Sequence, residues 1–205
     1  YYLSYGKGWA DWLQPQFVVI QLNEGDFTSD FYDKGKDAYV KRSGNELSIA
    51  LNPKKQSRFA NLLPRLSILT RAEYIWQEHT GSGKPASAKK KTPPSSFAEE
   101  ARWFMQQAKA AFPHVAVVYV PTMDYHNEET LNELPLLEVS LREAAQAEGV
   151  PYVDMRPQYA QHYHETKQPC HGFNNTHLGS GHINGYGHRL LGEALYALLN
   201  PLLKP

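Results

Sequence analysis

Residues 17–26 have the sequence FVVIQLNEGD, in which an apolar run changes abruptly to polar and flexible residues. Residues 17–22 are mostly β-branched or apolar, which is typical of a strand buried in a parallel sheet. Asn, Gly and Asp favour turns, so the segment predicts a strand that ends in a polar loop at residues 23–26. Open α/β sheets bind ligands beyond the carboxyl ends of such strands.

Apolar strands alternate with amphipathic helices along the rest of the chain. Two further apolar segments, 115–120 and 152–154, predict parallel strands. Apolar residues at helical spacing predict helices over 57–78, 96–112 and 135–148, and another after His182. Residues 1–13 resemble the later part of a crossover helix. The alternation predicts an α/β fold with a parallel sheet and helices on both faces.

Two segments depart from this alternation. Residues 38–42 and 46–51 flank Ser43-Gly44-Asn45 and predict a small β-hairpin. Residues 80–94 are rich in Gly, Ser, Lys and Pro and predict a flexible, solvated loop. The run Lys89-Lys90-Lys91 in this loop favours a solvated charge cluster over contact with an anionic partner.

Length and composition fit one domain over residues 1–205. The chain is long enough to bury a core, and nothing in its composition requires a boundary between two domains. Its 21 basic and 21 acidic residues balance, which argues against general affinity for nucleic acid or anionic membranes. No apolar run approaches the roughly 18 residues of a membrane span. Cys170 is the single cysteine, so no internal disulfide forms. The cysteine content therefore does not indicate whether the protein lies in a reducing or an oxidising cellular compartment.

Residues 181–189 have the sequence GHINGYGHR and lead directly into the apolar pattern of the last helix. A histidine in a glycine-bordered loop before a helix is placed where a general base can reach a substrate. Gly185 and Gly187 favour a tight turn into that helix. Taken alone, the motif leaves two interpretations of His182 open, a general base and an ordinary solvated loop residue.

Together the two motifs resemble the SGNH (GDSL-like) hydrolases, which are serine esterases with a flavodoxin-like sheet. That family has a Gly-x-Asn-Asp block after its third strand, and residues 23–26 align with it. It also has an Asp-x-x-His block before its last helix, with a glycine five residues after the histidine. His182 and Gly187 keep that spacing. The resemblance implies a three-layer flavodoxin-like fold in which the β-hairpin is an insertion.

The resemblance also implies roles for particular residues. His182 would be the catalytic base of a serine esterase that hydrolyses or transfers acyl groups of a small-molecule or carbohydrate ester, such as an O-acetyl group. Asn23, Gly25 and Asp26 would bind the oxyanion and the substrate. The family's mechanism implies no metal and no cofactor.

The chain departs from the family pattern at the oxyanion asparagine and at the acid partner. The family's asparagine falls on Gly25, while Asn23 occupies the glycine position. The family's aspartate falls on Gly179 or Ser180, neither of which is a carboxylate. Asp154 follows a predicted strand and is the candidate acid partner of His182, although capping of the following segment is the favoured role for such a residue. Asp124 follows another strand and has the same two interpretations.

The nucleophile is the largest departure, because no Gly-Asp-Ser block occurs in the sequence. In the family this serine lies on the first strand, well before the block at Asn23. We therefore expect that an N-terminal portion with one or more strands is missing, and secretion or a periplasmic location would depend on a signal peptide there. The alternative is a non-catalytic binding or scaffold domain. A Gly-Asp-Ser block upstream of Tyr1 would favour the enzyme.

Residues 159–178 hold four histidines and the cysteine: His162, His164, Cys170, His171 and His177. His-x-His and Cys-His pairs can bind zinc, which prefers nitrogen and sulfur ligands. Their spacing matches no standard zinc pattern. We therefore expect a polar surface loop rather than a metal centre.

Overall fold

The computed structural model of the chain describes residues 2–28, 31–36, 38–44, 46–52, 97–127, 131, 135–173 and 177–203. The helix expected over 57–78 and the loop expected at 80–94 lie outside these residues. The chain divides into two compact units, one formed by Tyr1–Ser29 with Ser96–Pro205 and the other by Asp30–Ser95. The single domain over 1–205 stays a prediction.

Six helices and five strands are formed by the described residues. In chain order they are α1 (Tyr2–Leu13), β1 (Val18–Leu22), α2 (Glu24–Thr28), β2 (Ala38–Ser43), β3 (Glu46–Leu51), α3 (Ala98–Ala111), β4 (Val115–Tyr119), α4 (Leu136–Glu148), β5 (Tyr152–Asp154), α5 (Arg156–Thr166) and α6 (Gly185–Leu199). None of the helices in the described part of the chain is both long and apolar enough to cross a membrane.

The larger unit contains a three-stranded parallel sheet with the order β1-β4-β5. Leu22 pairs with Tyr119, and Tyr119 pairs with Asp154, so the three strands end at the same edge. The central strand β4 is buried along its whole length, which explains its unbroken apolar sequence. The three predicted strands and their parallel direction are confirmed, and the chain has a mixed α/β fold.

The flanking helices follow the apolar periodicity of the sequence. Helix α3 buries Ala101, Phe104, Met105 and Ala108 on one face. It packs against α4, which ends at Gly149 in the left-handed conformation (φ 66°). Helices α1, α3, α4 and α6 occupy the segments in which the sequence predicts helices. The placement of helices on both faces, as in flavodoxin, stays a prediction.

Strands β2 and β3 belong to the smaller unit and pair in antiparallel register, with Ser43 opposite Glu46. Ala38, Val40 and Leu47 are buried, while their neighbours along the strands are more exposed. This alternation is typical of a sheet that is covered on one face. The segments predicted as a strand pair therefore do pair.

Two helices occupy segments for which the sequence analysis expected loops. The predicted polar loop at residues 23–26 is instead the start of α2. Its backbone is held because Asn23 Oδ1 accepts from Gly25 N, and Asp26 Oδ2 accepts from Asn23 N, both at 2.8 Å. This is the reciprocal arrangement of a capping box, so the residues that suggested a turn begin a helix instead.

Helix α5 replaces the first part of the polar loop expected at residues 159–178. A proline in its first turn is compatible with a helix start, because that position has no intrahelical N–H bond to lose. The helix buries Arg156, Tyr159, Ala160 and His162. Because half of these residues are polar, the helix has no apolar stripe that sequence periodicity could detect.

A buried ion pair joins α4 to the beginning of α5. Glu138 is only 1% exposed, and its two carboxylate oxygens accept from Nε and Nη2 of Arg156 at 2.7 and 2.6 Å. Nη2 also donates to the carbonyl oxygen of Thr122, in the segment after β4, at 3.3 Å. Bidentate pairs of this kind fix geometry as well as charge. The pair therefore holds α4 against the segments that follow β4 and β5.

Replacing Glu138 by alanine should lower the free energy of unfolding by about 3–5 kcal/mol, because the Arg156 guanidinium would stay buried without its carboxylate. Urea denaturation followed by circular dichroism measures the change. Glu148→Ala is the matched control. It removes the carboxylate of an ion pair whose Arg102 side chain is 66% exposed, and it should change stability little.

The double variant Glu138→Leu/Arg156→Met should recover much of this loss, because an apolar pair leaves no buried charge unpaired. If Glu138→Ala cost no more than Glu148→Ala, the ion pair would not be what holds these elements together.

Candidate functional site

The carboxyl ends of the three strands lie side by side. Val120 N donates to Leu22 O at 2.8 Å, and Met155 N donates to Tyr119 O at 3.0 Å. Asn23, the residue after β1, therefore lies beside Val120, the residue after β4. This is the edge at which open α/β sheets bind ligands.

The backbone N–H groups of Asn23, Gly25 and Asp26 are used within the start of α2. Those of Asn23 and Gly25 bond to side-chain oxygens of the capping box, and Asp26 N donates to Asn23 O at 3.2 Å. Asn23 is exposed, whereas Gly25 and Asp26 are half-buried. Within the described ranges, no hydrogen bond engages the Nδ2 group of Asn23, which leaves it as a donor for a ligand.

His182 is exposed, but the backbone that carries it is fixed. Gly172 N donates to His182 O at 2.9 Å, and Asn184 N donates to Cys170 O at the same distance. Between these bonds, Ile183 forms an antiparallel bridge with His171. An exposed imidazole on an anchored backbone is what a general base requires.

Asn184 connects the His182 segment to α6, and sequence reasoning missed it. Its Oδ1 caps the helix by accepting from Tyr186 N at 3.0 Å and Gly187 N at 3.2 Å. Its Nδ2 donates to Pro169 O at 2.8 Å and to His171 O at 3.4 Å. The available signal was an asparagine directly before an apolar helical pattern, the usual mark of an N-cap.

Gly187 is required for close packing rather than for a turn. The tight turn predicted at Gly185 and Gly187 is wrong, because both residues lie in α6. A Cβ atom on Gly187 would lie 2.5 Å from Cys170 O and 2.9 Å from Ile183 Cβ. Because Gly187 has no side chain, the first turn of α6 can pack closely against Cys170 and Ile183.

His171 is a buried residue that links this segment to the end of β4. Its Nδ1 lies 2.7 Å from the Tyr125 hydroxyl, which also accepts from Cys170 N at 3.1 Å. Burial lowers the pKa of His171 to about 4, a hydrogen bond with the backbone of Pro121 opposes the shift, and the charge of Arg156 adds to it. His171 is therefore neutral at pH 7. The expectation of a surface loop is wrong here.

The two candidate aspartates each accept a hydrogen bond from the backbone two residues further on. Asp154 Oδ1 accepts from Arg156 N at 2.9 Å, and Asp124 Oδ1 accepts from His126 N at 3.0 Å. Both carboxylates thus bond within the segment that follows them, which is the local role that the favoured interpretation expects. Within the described ranges, no hydrogen bond or ion pair joins Asp154 to His182, and the acid-partner role stays a prediction.

The histidines and the cysteine of residues 159–178 are dispersed rather than clustered. In the part of the chain that the structure describes, no three His, Cys, Asp or Glu residues are placed to hold a metal ion. Cys170 is buried, and burial raises the pKa of its thiol to about 11, so it is protonated at neutral pH. His162 lies in α5, with its ring centroid 5.2 Å from that of Tyr186.

A cavity of about 950 Å³ lies beside the His182 segment. Its wall includes Gly172, which bonds to His182 O, and Asn184. Neither His182 nor residues 23–26 are among the described residues that line it. The expectation that His182 and the Asn23–Asp26 segment line one cleft therefore stays a prediction.

Comparisons of the chain with protein-family models, with curated proteins and with solved structures found no significant match.

The free energy of unfolding should rise with pH between about pH 4 and 6.5. His171 stays neutral in the folded state down to its pKa of about 4, whereas in the unfolded chain it takes up a proton near 6.5. The unfolded state thus binds more protons in this window, and stability is lost as the pH falls. One proton contributes at most about 1.4 kcal/mol per pH unit.

His171→Gln should remove this contribution and give a shallower pH dependence, which urea denaturation at several pH values measures. Identical slopes for the two proteins would contradict the neutral, buried state of His171.

Asn184→Ala should lower the free energy of unfolding by about 1–2 kcal/mol or more, because it removes a helix cap and two donors to buried carbonyls. Asn184→Ser should be intermediate, since serine keeps the cap but loses those donors. Thermal unfolding measures the series. If the serine variant were no more stable than the alanine variant, the cap would not contribute.

Proposed function

We propose that this chain is the histidine-bearing part of a serine esterase of the SGNH (GDSL-like) kind, with His182 as the general base. The observation that carries the proposal is an exposed imidazole on a backbone that hydrogen bonds hold on both sides. The proposed architecture is flavodoxin-like, with β2 and β3 as an insertion.

The connections between the sheet and the two candidate segments, at Asn23 and at His182, support a shared site. Asn23 directly follows β1, whose last carbonyl bonds to Val120 N. Two residues beyond the end of β4, the backbone of Pro121 bonds to His171, and His171 pairs with Ile183, the residue after His182. The Asn23 segment thus follows one strand end, and the His182 segment is tied through His171 to the end of the neighbouring strand, which favours a site at the carboxyl edge.

In the proposed reaction, His182 takes the proton from a serine hydroxyl, whose oxygen attacks the carbonyl carbon of the ester. Asn23 Nδ2 donates to the oxyanion as the tetrahedral intermediate forms. His182 then gives its proton to the leaving alcohol, and water, deprotonated by His182, releases the acid from the acyl-serine. The substrate is a small-molecule or carbohydrate ester, and neither a cofactor nor a metal takes part.

The nearest serine in sequence, Ser180, is not assigned as the nucleophile. It lies two positions before His182, and its hydroxyl donates to His177 O at 3.3 Å. A residue so close along the chain does not readily face the imidazole, so Ser180 shapes the loop. In the proposed esterase, the nucleophilic serine therefore comes from outside residues 1–205.

A second candidate function is a non-catalytic binding domain of the same shape. It is favoured by the carboxylate of Asp154, which accepts from Arg156 N at the beginning of α5 and which, after burial itself, adds to the raised pKa of Glu138. Gly179 and Ser180 supply no carboxylate in its place. A histidine without an acid partner is a weaker base.

His182→Ala in the full-length protein should reduce hydrolysis of p-nitrophenyl acetate and of an acetylated sugar. Loss of the base in a serine triad costs a factor on the order of 10⁶ in turnover. The melting temperature should be unchanged, because truncating an exposed side chain leaves no cavity. His188→Ala is the matched control, since His188 is also exposed but lies on α6 beyond the cap.

Equal rates for the wild type and His182→Ala would reject the general-base role. If the folded wild type hydrolysed neither ester, the binding-domain interpretation would replace the esterase.

A further inference from the structure

The cavity beside the His182 segment is large enough for a ligand of several rings. Its volume of about 950 Å³ falls within the range of small-molecule sites. The described residues that line it are Lys167, Gln168, Pro169, Gly172, Phe173, Leu178, Asn184, Gly185, Tyr186 and Arg189. Gly172 and Asn184 are buried, and the hydrogen bonds that fix His182 also fix them, so this wall is formed before any ligand binds.

The charge of the cavity is positive. Arg189 and Lys167 both line it, and none of the described lining residues is acidic. Arg189 is exposed and forms no ion pair with a carboxylate within the described ranges. Helix α6 begins at Gly185 on the same wall, and its dipole adds partial positive charge. A guanidinium is well suited to bind a carboxylate through two parallel hydrogen bonds.

Apolar side chains are exposed in the same cavity. Phe173 is 46% exposed, Tyr186 43% and Leu178 54%. The Tyr186 ring packs near the His162 ring, which limits its motion. The flat apolar side chains can contact a ligand face made of C–H groups. The Gln168 amide can bond to hydroxyl groups, and the cations can bind an anionic group of the same ligand. A small inorganic anion would leave the aromatic side chains without contact.

We propose that this cavity binds an acidic carbohydrate, with the carboxylate of a uronic acid on Arg189 and a sugar ring against Tyr186. The backbone hydrogen bond between Gly172 N and His182 O places the cavity beside the segment that carries the proposed catalytic base. The assignment of this carbohydrate as the substrate rests on the proposed function. The binding itself does not, because it needs no serine and no hydrolysis.

Isothermal titration calorimetry tests the site, with trigalacturonate as the probe and the full-length His182→Ala protein as the common background. Trigalacturonate should bind, while the neutral trisaccharide maltotriose should bind at least 10-fold more weakly. Adding Arg189→Ala should weaken trigalacturonate binding by at least 10-fold. Arg142→Ala is the matched control, because Arg142 is an exposed arginine on α4 that does not line the cavity; it should leave binding unchanged.

Tyr186→Ala should weaken trigalacturonate binding without changing the weak binding of inorganic phosphate, and thermal unfolding should show that each variant is folded. Arg189→Lys keeps the charge but loses the paired donors, so it should lie between the wild type and Arg189→Ala.

Several results would overturn the proposal. They are equal binding by Arg189→Ala and its parent, equal binding of maltotriose and trigalacturonate, and phosphate binding as tight as trigalacturonate binding. The last result would indicate a simple anion site. Because the esterase proposal is tested by rates and this one by binding in an inactive background, either can fail without the other.

Discussion

The contact between the Tyr125 hydroxyl and Nδ1 of His171 fixes the segment on which the candidate site depends. Tyr125 follows β4, and His171 pairs with the residue after His182. Because both groups are buried, losing either would leave a polar atom without a partner in a medium where that is costly. His182 can therefore be exposed and still have a defined position, since His182 O and Asn184 N bond to the residues on either side of His171.

A second buried network lies close to the first, and the two share Arg156. This guanidinium forms the bidentate pair with Glu138, and its positive charge also helps to lower the pKa of His171. A protonated His171 would add another positive charge to the same buried region. The neutral state of His171 is therefore favoured both by burial and by the charge that ties α4 to the sheet edge.

The sequence predicted the elements whose apolar residues are periodic or continuous, and it failed where buried residues are polar. The unbroken apolar run of β4 and the glycine after α4 identified those elements correctly. Helix α5 was missed because it buries a histidine and an arginine, and the partners of the arginine, Glu138 and Thr122, come from other segments. At Asn23 and Asp26 the sequence was ambiguous, because the side chains that close a turn also cap a helix. The local sequence pattern alone does not distinguish a turn from a helix start at these residues.

The same limitation applies to the acid partner of His182. Asp154 follows a strand, and such a carboxylate can serve either the next helix or a catalytic histidine. Oδ1 accepts from Arg156 N, and the Asp154 carboxylate also interacts with the nearby carboxyl of Glu138, so this aspartate already serves the beginning of α5. Replacing the aspartate of a serine triad lowers turnover by roughly 10⁴-fold. The catalytic rate of the full-length protein therefore distinguishes a His182 that is assisted by a carboxylate from one that is not.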